Sequence, residues 1–125
     1  MSKVMVVDDE KDVVYLIKVL LEREKLEVLE AYNGLEAYNK LTSKDPGKVL
    51  PDAMILDIMM PEMNGDEFAE RIREAGVNCP IIVMTGLLSP EEARHKNYRI
   101  GNRVVTGKPV PLPVLATLVH QALEA

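Results

Sequence analysis

The sequence predicts an α/β fold: a doubly wound, five-stranded parallel sheet of order 2-1-3-4-5, built as five successive βα units. Three observations carry this reading. The runs VMVV at 4–7, AMIL at 53–56 and PIIVM at 80–84 are short and continuously apolar, as strands buried on both faces are. They alternate with longer stretches whose apolar residues recur at helical spacing. Right-handed crossovers then leave few topologies, and 2-1-3-4-5 is the favoured one.

Taken in order, VMVV is the first strand, and Val13, Leu16, Ile17, Leu20 and Leu21 form the apolar stripe of the first helix. LEVLEA at 26–31 alternates enough for an outer strand. Asn33-Gly34 precedes a second helix whose stripe is Leu35, Tyr38 and Leu41, and TSKDPGKVLP at 42–51 reads as a loop. AMIL is the third strand and ends at Asp57. After the turn PEMNG, residues 65–75 place Phe68, Ile72 and Ala75 inside a charged helix. PIIVM is the fourth strand. Ser89-Pro90-Glu91-Glu92 then reads as a helix start, with a Ser cap, Pro at the first position and Glu three after the cap. That fourth helix runs to about Tyr98 and is only weakly apolar. Arg103–Thr106 is the fifth strand, and 112–124 the fifth helix, with Leu112, Leu115, Leu118, Val119 and Ala122 on its apolar side.

Composition narrows the function classes. At 125 residues the chain fits one domain, residues 1–125, with 47% hydrophobic and 28% charged residues. A net charge of −5 argues against general attraction to nucleic acid or anionic lipid. No apolar stretch approaches the ~18–20 residues of a membrane span, and the N-terminus lacks a signal-like apolar region. The single cysteine, Cys79, rules out an internal disulfide, suits a reducing compartment and is expected to be a buried, inert thiol. A cytoplasmic protein is expected.

In an open parallel sheet, ligands bind at the carboxyl ends of the strands. There the sequence places Asp8 and Asp9 after strand one, Asp57 after strand three, Thr85 after strand four and Lys108 after strand five. Three carboxylates without His or Cys make a hard, all-oxygen environment, which favours Mg²⁺. Lys108 supplies a positive group for a phosphoryl oxygen, and Thr85 a hydroxyl donor. Such a rim suits phosphoryl transfer, which depends mostly on positioning and charge neutralisation. Asp57, alone at the centre strand, is the natural acceptor, since carboxylates can form aspartyl-phosphates.

The segments MVVDDE, MILDIMMPEMNG, IVMTG and GKP, in this order and spacing, resemble the receiver domain of two-component response regulators, the family of the chemotaxis receivers. The resemblance covers essentially the whole chain. That family has the flavodoxin-like 2-1-3-4-5 sheet, so topology and resemblance are one expectation rather than two. The resemblance implies that Asp57 accepts a phosphoryl group from a histidine kinase or phosphotransfer protein. It implies that Asp9 ligates Mg²⁺ directly, that Asp8 acts through water, and that the Met59 backbone carbonyl is a further ligand. Thr85 and Lys108 would contact the phosphoryl group, with a cis Lys108–Pro109 bond and Glu10 peripheral. The chain would be a phosphoacceptor that assists its own phosphorylation and dephosphorylation, not an enzyme acting on other molecules.

The pattern departs from the family in places. Receivers usually carry Tyr or Phe three residues before the lysine, where this chain has Val105, so an aromatic switch there is in doubt. Val110 stands where Phe is frequent, and Pro111 and Pro113 stiffen the entry to the last helix. Arg94, His95, Lys96, Arg99 and Arg103 form a basic run that reads first as a solvated face and second as a docking patch for an acidic partner. The face of fourth helix, fifth strand and fifth helix leaves room for a weak homodimer. Met59 and Leu87 are apolar where receivers can orient the hydrolytic water, which implies slow loss of the phosphoryl group; a lifetime no longer than that of a Met59→Asn, Leu87→Glu variant would contradict this. His95 and His120 lie far from the acidic rim in this topology. Rival readings are a phosphorylation-independent interaction module, a magnesium phosphatase (which lacks its second Asp at Met59) and a nucleotide-binding module (which lacks its Gly-rich first loop).

Overall fold

The computed structural model describes residues 2–44, 50–57, 65–85, 99–100, 103–107 and 112–124. In chain order these form β1 (Lys3–Val7), α1 (Lys11–Arg23), β2 (Glu27–Ala31), α2 (Gly34–Thr42), β3 (Ala53–Asp57), α3 (Gly65–Glu74), β4 (Ile81–Thr85), β5 (Arg99–Ile100), β6 (Arg103–Gly107) and α4 (Leu112–Glu124). The sheet order is β2-β1-β3-β4-β6-β5, and every pair except β5–β6 is parallel. The five parallel strands therefore follow the expected 2-1-3-4-5 order, with β6 in the place of the fifth.

A sixth, two-residue strand is added at the edge of the five-stranded parallel sheet. Residues 99–100 pair antiparallel with β6, Arg99 opposite Val104 and Ile100 opposite Arg103. Their separator in sequence is Gly101-Asn102, a dipeptide that favours two-residue hairpin connections. The helix expected at 90–98 lies outside the described residues.

Alternation along each strand divides the core in two. Met5, Val7, Met54, Leu56, Ile81 and Val83 pack under α2 and α3 with Ala37, Leu41, Phe68 and Ile72. Val4, Val6, Ile55, Ile82 and Met84 pack on the other face under α1 and α4 with Val14, Ile17, Leu21, Leu115 and Val119. Both faces of the central strands are thus covered, which is why their sequences are continuously apolar. Three stripe assignments shift. Leu16 is 55% exposed while Val14 is buried, so α1 buries the 14-17-21 stripe. Leu35 and Ala75 are also exposed.

Two helix ends close in the same way with different residues. After α3, Gly76 takes φ +86°, and the Val77 and Gly76 amides donate back to the Ile72 and Arg73 carbonyls. After α1, Lys25 takes φ +62°, and the Leu26 and Lys25 amides donate to Leu21 and Glu22. Both are left-handed C-caps that turn the chain toward the next strand. The glycine does this freely, whereas the lysine does it at a cost of about 1 kcal/mol.

Candidate functional site

The alternation that builds the core also aims the acids. In β1, Val4 and Val6 face α1 and α4, and the next residue of that parity is Asp8. In β3, Ile55 has the same face and Asp57 follows it. Val7 pairs with Leu56, so Asp8 and Asp57 are next neighbours at the carboxyl edge of the two central strands. Both are buried: Asp8 is 0% exposed and Asp57 3%.

Asp8 is held on two sides. Its N–H donates to the Ala31 carbonyl at 3.2 Å, continuing the β1–β2 ladder one residue past the strand. Its Oδ1 accepts the Glu10 N–H at 2.9 Å, which turns the chain from β1 into α1. Glu10 is the N-cap residue of α1 and its side chain makes no capping bond. The turn therefore brings carboxylate oxygens of Asp8, Asp9 and Glu10 within 4.8 Å of one another, at the positive end of the α1 dipole. Asp9 and Glu10 are exposed. Asp57 is not one of this trio; it stands beside Asp8 in the neighbouring strand.

The other expected site residues stand as follows. Thr85 ends β4 and pairs with Gly107, which ends β6, so the backbone of Thr85 reaches the same edge. Lys108 follows Gly107 directly in sequence but lies outside the described residues, as do Met59, Leu87, Pro109 and His95. Val105 sits mid-strand in register with Val83. His120 is remote from the rim: its Nε2 lies 3.5 Å from a carboxylate oxygen of Glu24, beyond the far end of α1. Glu10, expected at the periphery, is exposed beside Asp8 and Asp9, and its N–H is returned to Asp8 by the turn.

The donor set fits a small hard cation. It is all oxygen, with two buried carboxylates side by side and two exposed ones at the entrance, and among the described residues no His or Cys joins the cluster. Burying like charges together is unfavourable unless positive charge accompanies them. The residues present suit Mg²⁺.

The response regulator receiver domain family matches residues 4–120. This chain belongs to that family. The receiver is 35% identical over 84 residues to the alkaline phosphatase synthesis transcriptional regulatory protein PhoP of Bacillus subtilis, a match covering 67% of this chain and 33% of that protein. It is 39% identical over 84 residues to the transcriptional regulatory protein SrrA of Staphylococcus aureus, covering 67% and 32%. The matched part thus spans about a third of the length of these curated relatives. Among solved structures it resembles the chemotaxis protein CheY4 of Vibrio cholerae, with TM-score 0.80 and 29% identity over 98% of this chain and 99% of that one. It also resembles the Francisella response regulator 1452 receiver domain, with TM-score 0.79 and 25% identity over 99% and 98%. No helix of the described residues is long and apolar enough to cross a membrane.

Beside the rim, on the edge strand β2, the receiver carries a second charged group of different construction. Glu30 accepts the Tyr32 hydroxyl at 2.6 Å on one carboxylate oxygen and meets Lys18 Nζ at 2.9 Å on the other. These two bonds, the tyrosine's first, hold the Glu30 carboxyl below the usual range and raise both Tyr32 and Lys18. Lys40 Nζ donates to the Glu30 backbone carbonyl at 2.6 Å and pairs with Glu36 at 3.0 Å. Asn33 caps α2 by accepting the Glu36 N–H at 2.7 Å. Cys79 is half-buried, and burial, with a smaller contribution from Asp52, pushes its thiol up to about 11, so it is inert at neutral pH.

Proposed function

We propose that this receiver takes a phosphoryl group onto Asp57 in a Mg²⁺-dependent reaction, from a histidine kinase or a phosphotransfer protein. The observation that carries the reading is the adjacency of Asp8 and Asp57: two buried carboxylates on neighbouring strands, beside an exposed acidic entrance. Asp8, Asp9 and Asp57 would hold the metal, with the Met59 carbonyl as a further ligand. When bound, Mg²⁺ supplies charge neutralisation for the acids and for the phosphoryl oxygens.

The chain's own residues then do the following. An Asp57 carboxylate oxygen attacks phosphorus, the P–N bond of the phosphohistidine breaks, and the imidazole leaves with its electron pair and takes a proton from solvent. Asp57 is nearly closed to solvent, which limits competing attack by water on the donor. Thr85, at the end of β4, donates its hydroxyl to one phosphoryl oxygen, and Lys108, following β6, contacts another as a point charge. The new acyl phosphate adds charge and strong acceptors at the strand ends and biases a neighbouring element between two arrangements.

The relatives are named transcriptional regulators; in this chain the signal would leave through contact with a protein partner or output region. Val105 in place of an aromatic residue argues that the report to that partner differs from the usual ring rotation, while leaving the acceptor set intact. The test is intact mass after incubation with acetyl phosphate. Wild type with Mg²⁺ gains one phosphate, and neither Asp57→Ala nor a metal-free control does. A gain that persists in Asp57→Ala contradicts the assignment.

A further inference from the structure

The flank of the acidic rim holds a lysine that does not join it. Lys11 opens α1, one residue after Glu10 and two after Asp9. An ammonium on a flexible four-carbon stem has those carboxylates within reach. Among the described residues, however, Lys11 makes no ion pair with Asp8, Asp9 or Glu10. Its Nζ lies over the ring of Tyr32, 5.8 Å from the centroid, within cation–π range.

The ring that receives it is fixed at both ends. The Tyr32 backbone N–H donates to Glu36 Oε2 at 3.2 Å, and its hydroxyl donates to Glu30 Oε2 at 2.6 Å. Glu30 is braced in turn by Lys18. Tyr32 also directly follows Ala31, whose carbonyl accepts the Asp8 N–H, so the anchored ring stands next to the rim.

We infer that Tyr32 is a positioning residue for the metal site: its ring holds the Lys11 ammonium away from the exposed entrance of the acidic cluster, Asp9 and Glu10, through which an incoming cation reaches the site. Without the ring, Lys11 turns to the nearest carboxylates and must be displaced before metal binds. The inference rests on the reading of this cluster as a Mg²⁺ site.

The test is Mg²⁺ affinity by titration calorimetry on wild type, Tyr32→Leu, Tyr32→Phe, Lys11→Gln and the Lys11→Gln, Tyr32→Leu pair. Tyr32→Leu weakens Mg²⁺ binding roughly two- to fivefold, the fold-change that a surface cation–π contact converts to. Tyr32→Phe, which keeps the ring, retains wild-type affinity. In the Lys11→Gln background Tyr32→Leu has no effect. Equal losses in both backgrounds, or no loss in either, overturn the inference while leaving the metal site standing. Wild type that binds no Mg²⁺, or binding that Asp9→Asn leaves unchanged, overturns the metal-site reading and the inference with it. A second measurement needs no variant that must fold: the Lys11 side-chain protons of wild type carry a ring-current shift that persists through a Mg²⁺ titration. Lys11 protons at ordinary shifts contradict the arrangement.

Discussion

Two charged groups lie side by side in this receiver and are built on opposite plans. Around Glu30 the signs alternate: Lys18 pairs with the Glu30 carboxylate, and Lys40 pairs with Glu36 while donating to the Glu30 backbone carbonyl, on an edge strand with partly exposed side chains. Around Asp8 one sign accumulates: Asp8, Asp9 and Glu10 within 4.8 Å, and Asp57 beside them on the next strand. The first plan serves local structure and contributes little energy, as half-exposed ion pairs do. The second gathers like charges where water is largely excluded, an arrangement that depends on accompanying positive charge. Such an all-oxygen arrangement at the strand ends suits a cationic ligand.

The sharpest way to break the comparison is to exchange one member of each group. Asp57→Asn, with a poor nucleophile in place of the carboxylate, abolishes phosphate uptake from acetyl phosphate by intact mass. Glu30→Gln changes its rate by no more than about twofold, since half-exposed ion pairs contribute little.

A smaller effect separates the two in stability. At ten times its dissociation constant, Mg²⁺ stabilises wild type by about 1.4 kcal/mol in urea unfolding. Asp8→Asn retains an acceptor for the Glu10 amide but removes a charge. Mg²⁺ no longer raises its midpoint.

Smaller again is the acid dependence of the edge group. The Glu30 carboxyl is held below its ordinary range by the Tyr32 hydroxyl and then by Lys18. Its contribution is therefore complete above the unfolded carboxylate value and is lost as pH falls through the lower folded value. Glu30→Gln costs less than about 1 kcal/mol at neutral pH, and its urea midpoint falls less steeply on acidification than that of wild type.

The smallest effect is spectroscopic. One of the four tyrosines, Tyr32, ionises above the ordinary phenol range because its hydroxyl is bonded to Glu30 and part of its ring is buried. Tyrosinate absorbance shows this late component in wild type, and Glu30→Ala removes it.

Much of the site was legible because strand burial and strand ending are written in adjacent residues. VMVV followed by DDE, and AMIL followed by Asp57, specify doubly covered strands and the carboxyl edge in one stretch, and the period of two then fixes which face each acid continues. Helix phase was harder to read. Leu16 and Val14 both suit an apolar stripe, and only packing against Val4 and Val6 selects Val14. The β5 strand, two residues long, carries no periodicity to detect. The Glu30 group joins α1, β2 and α2 through side chains whose meeting depends on register between distant segments, which no local pattern encodes. The closeness of Glu10 to Asp8 depends on a single backbone-to-carboxylate bond, which the DDE run does not spell out.

The central claim is that Asp57 is the acceptor, and the most direct measurement is chemical. Receiver incubated with acetyl phosphate and Mg²⁺ is treated with borohydride, which reduces an acyl phosphate to the alcohol, and the peptides are sequenced by mass spectrometry. The account predicts homoserine at position 57 and aspartate at 8 and 9, with no conversion when Mg²⁺ is withheld. Homoserine at position 8 or 9 with position 57 unchanged would contradict it.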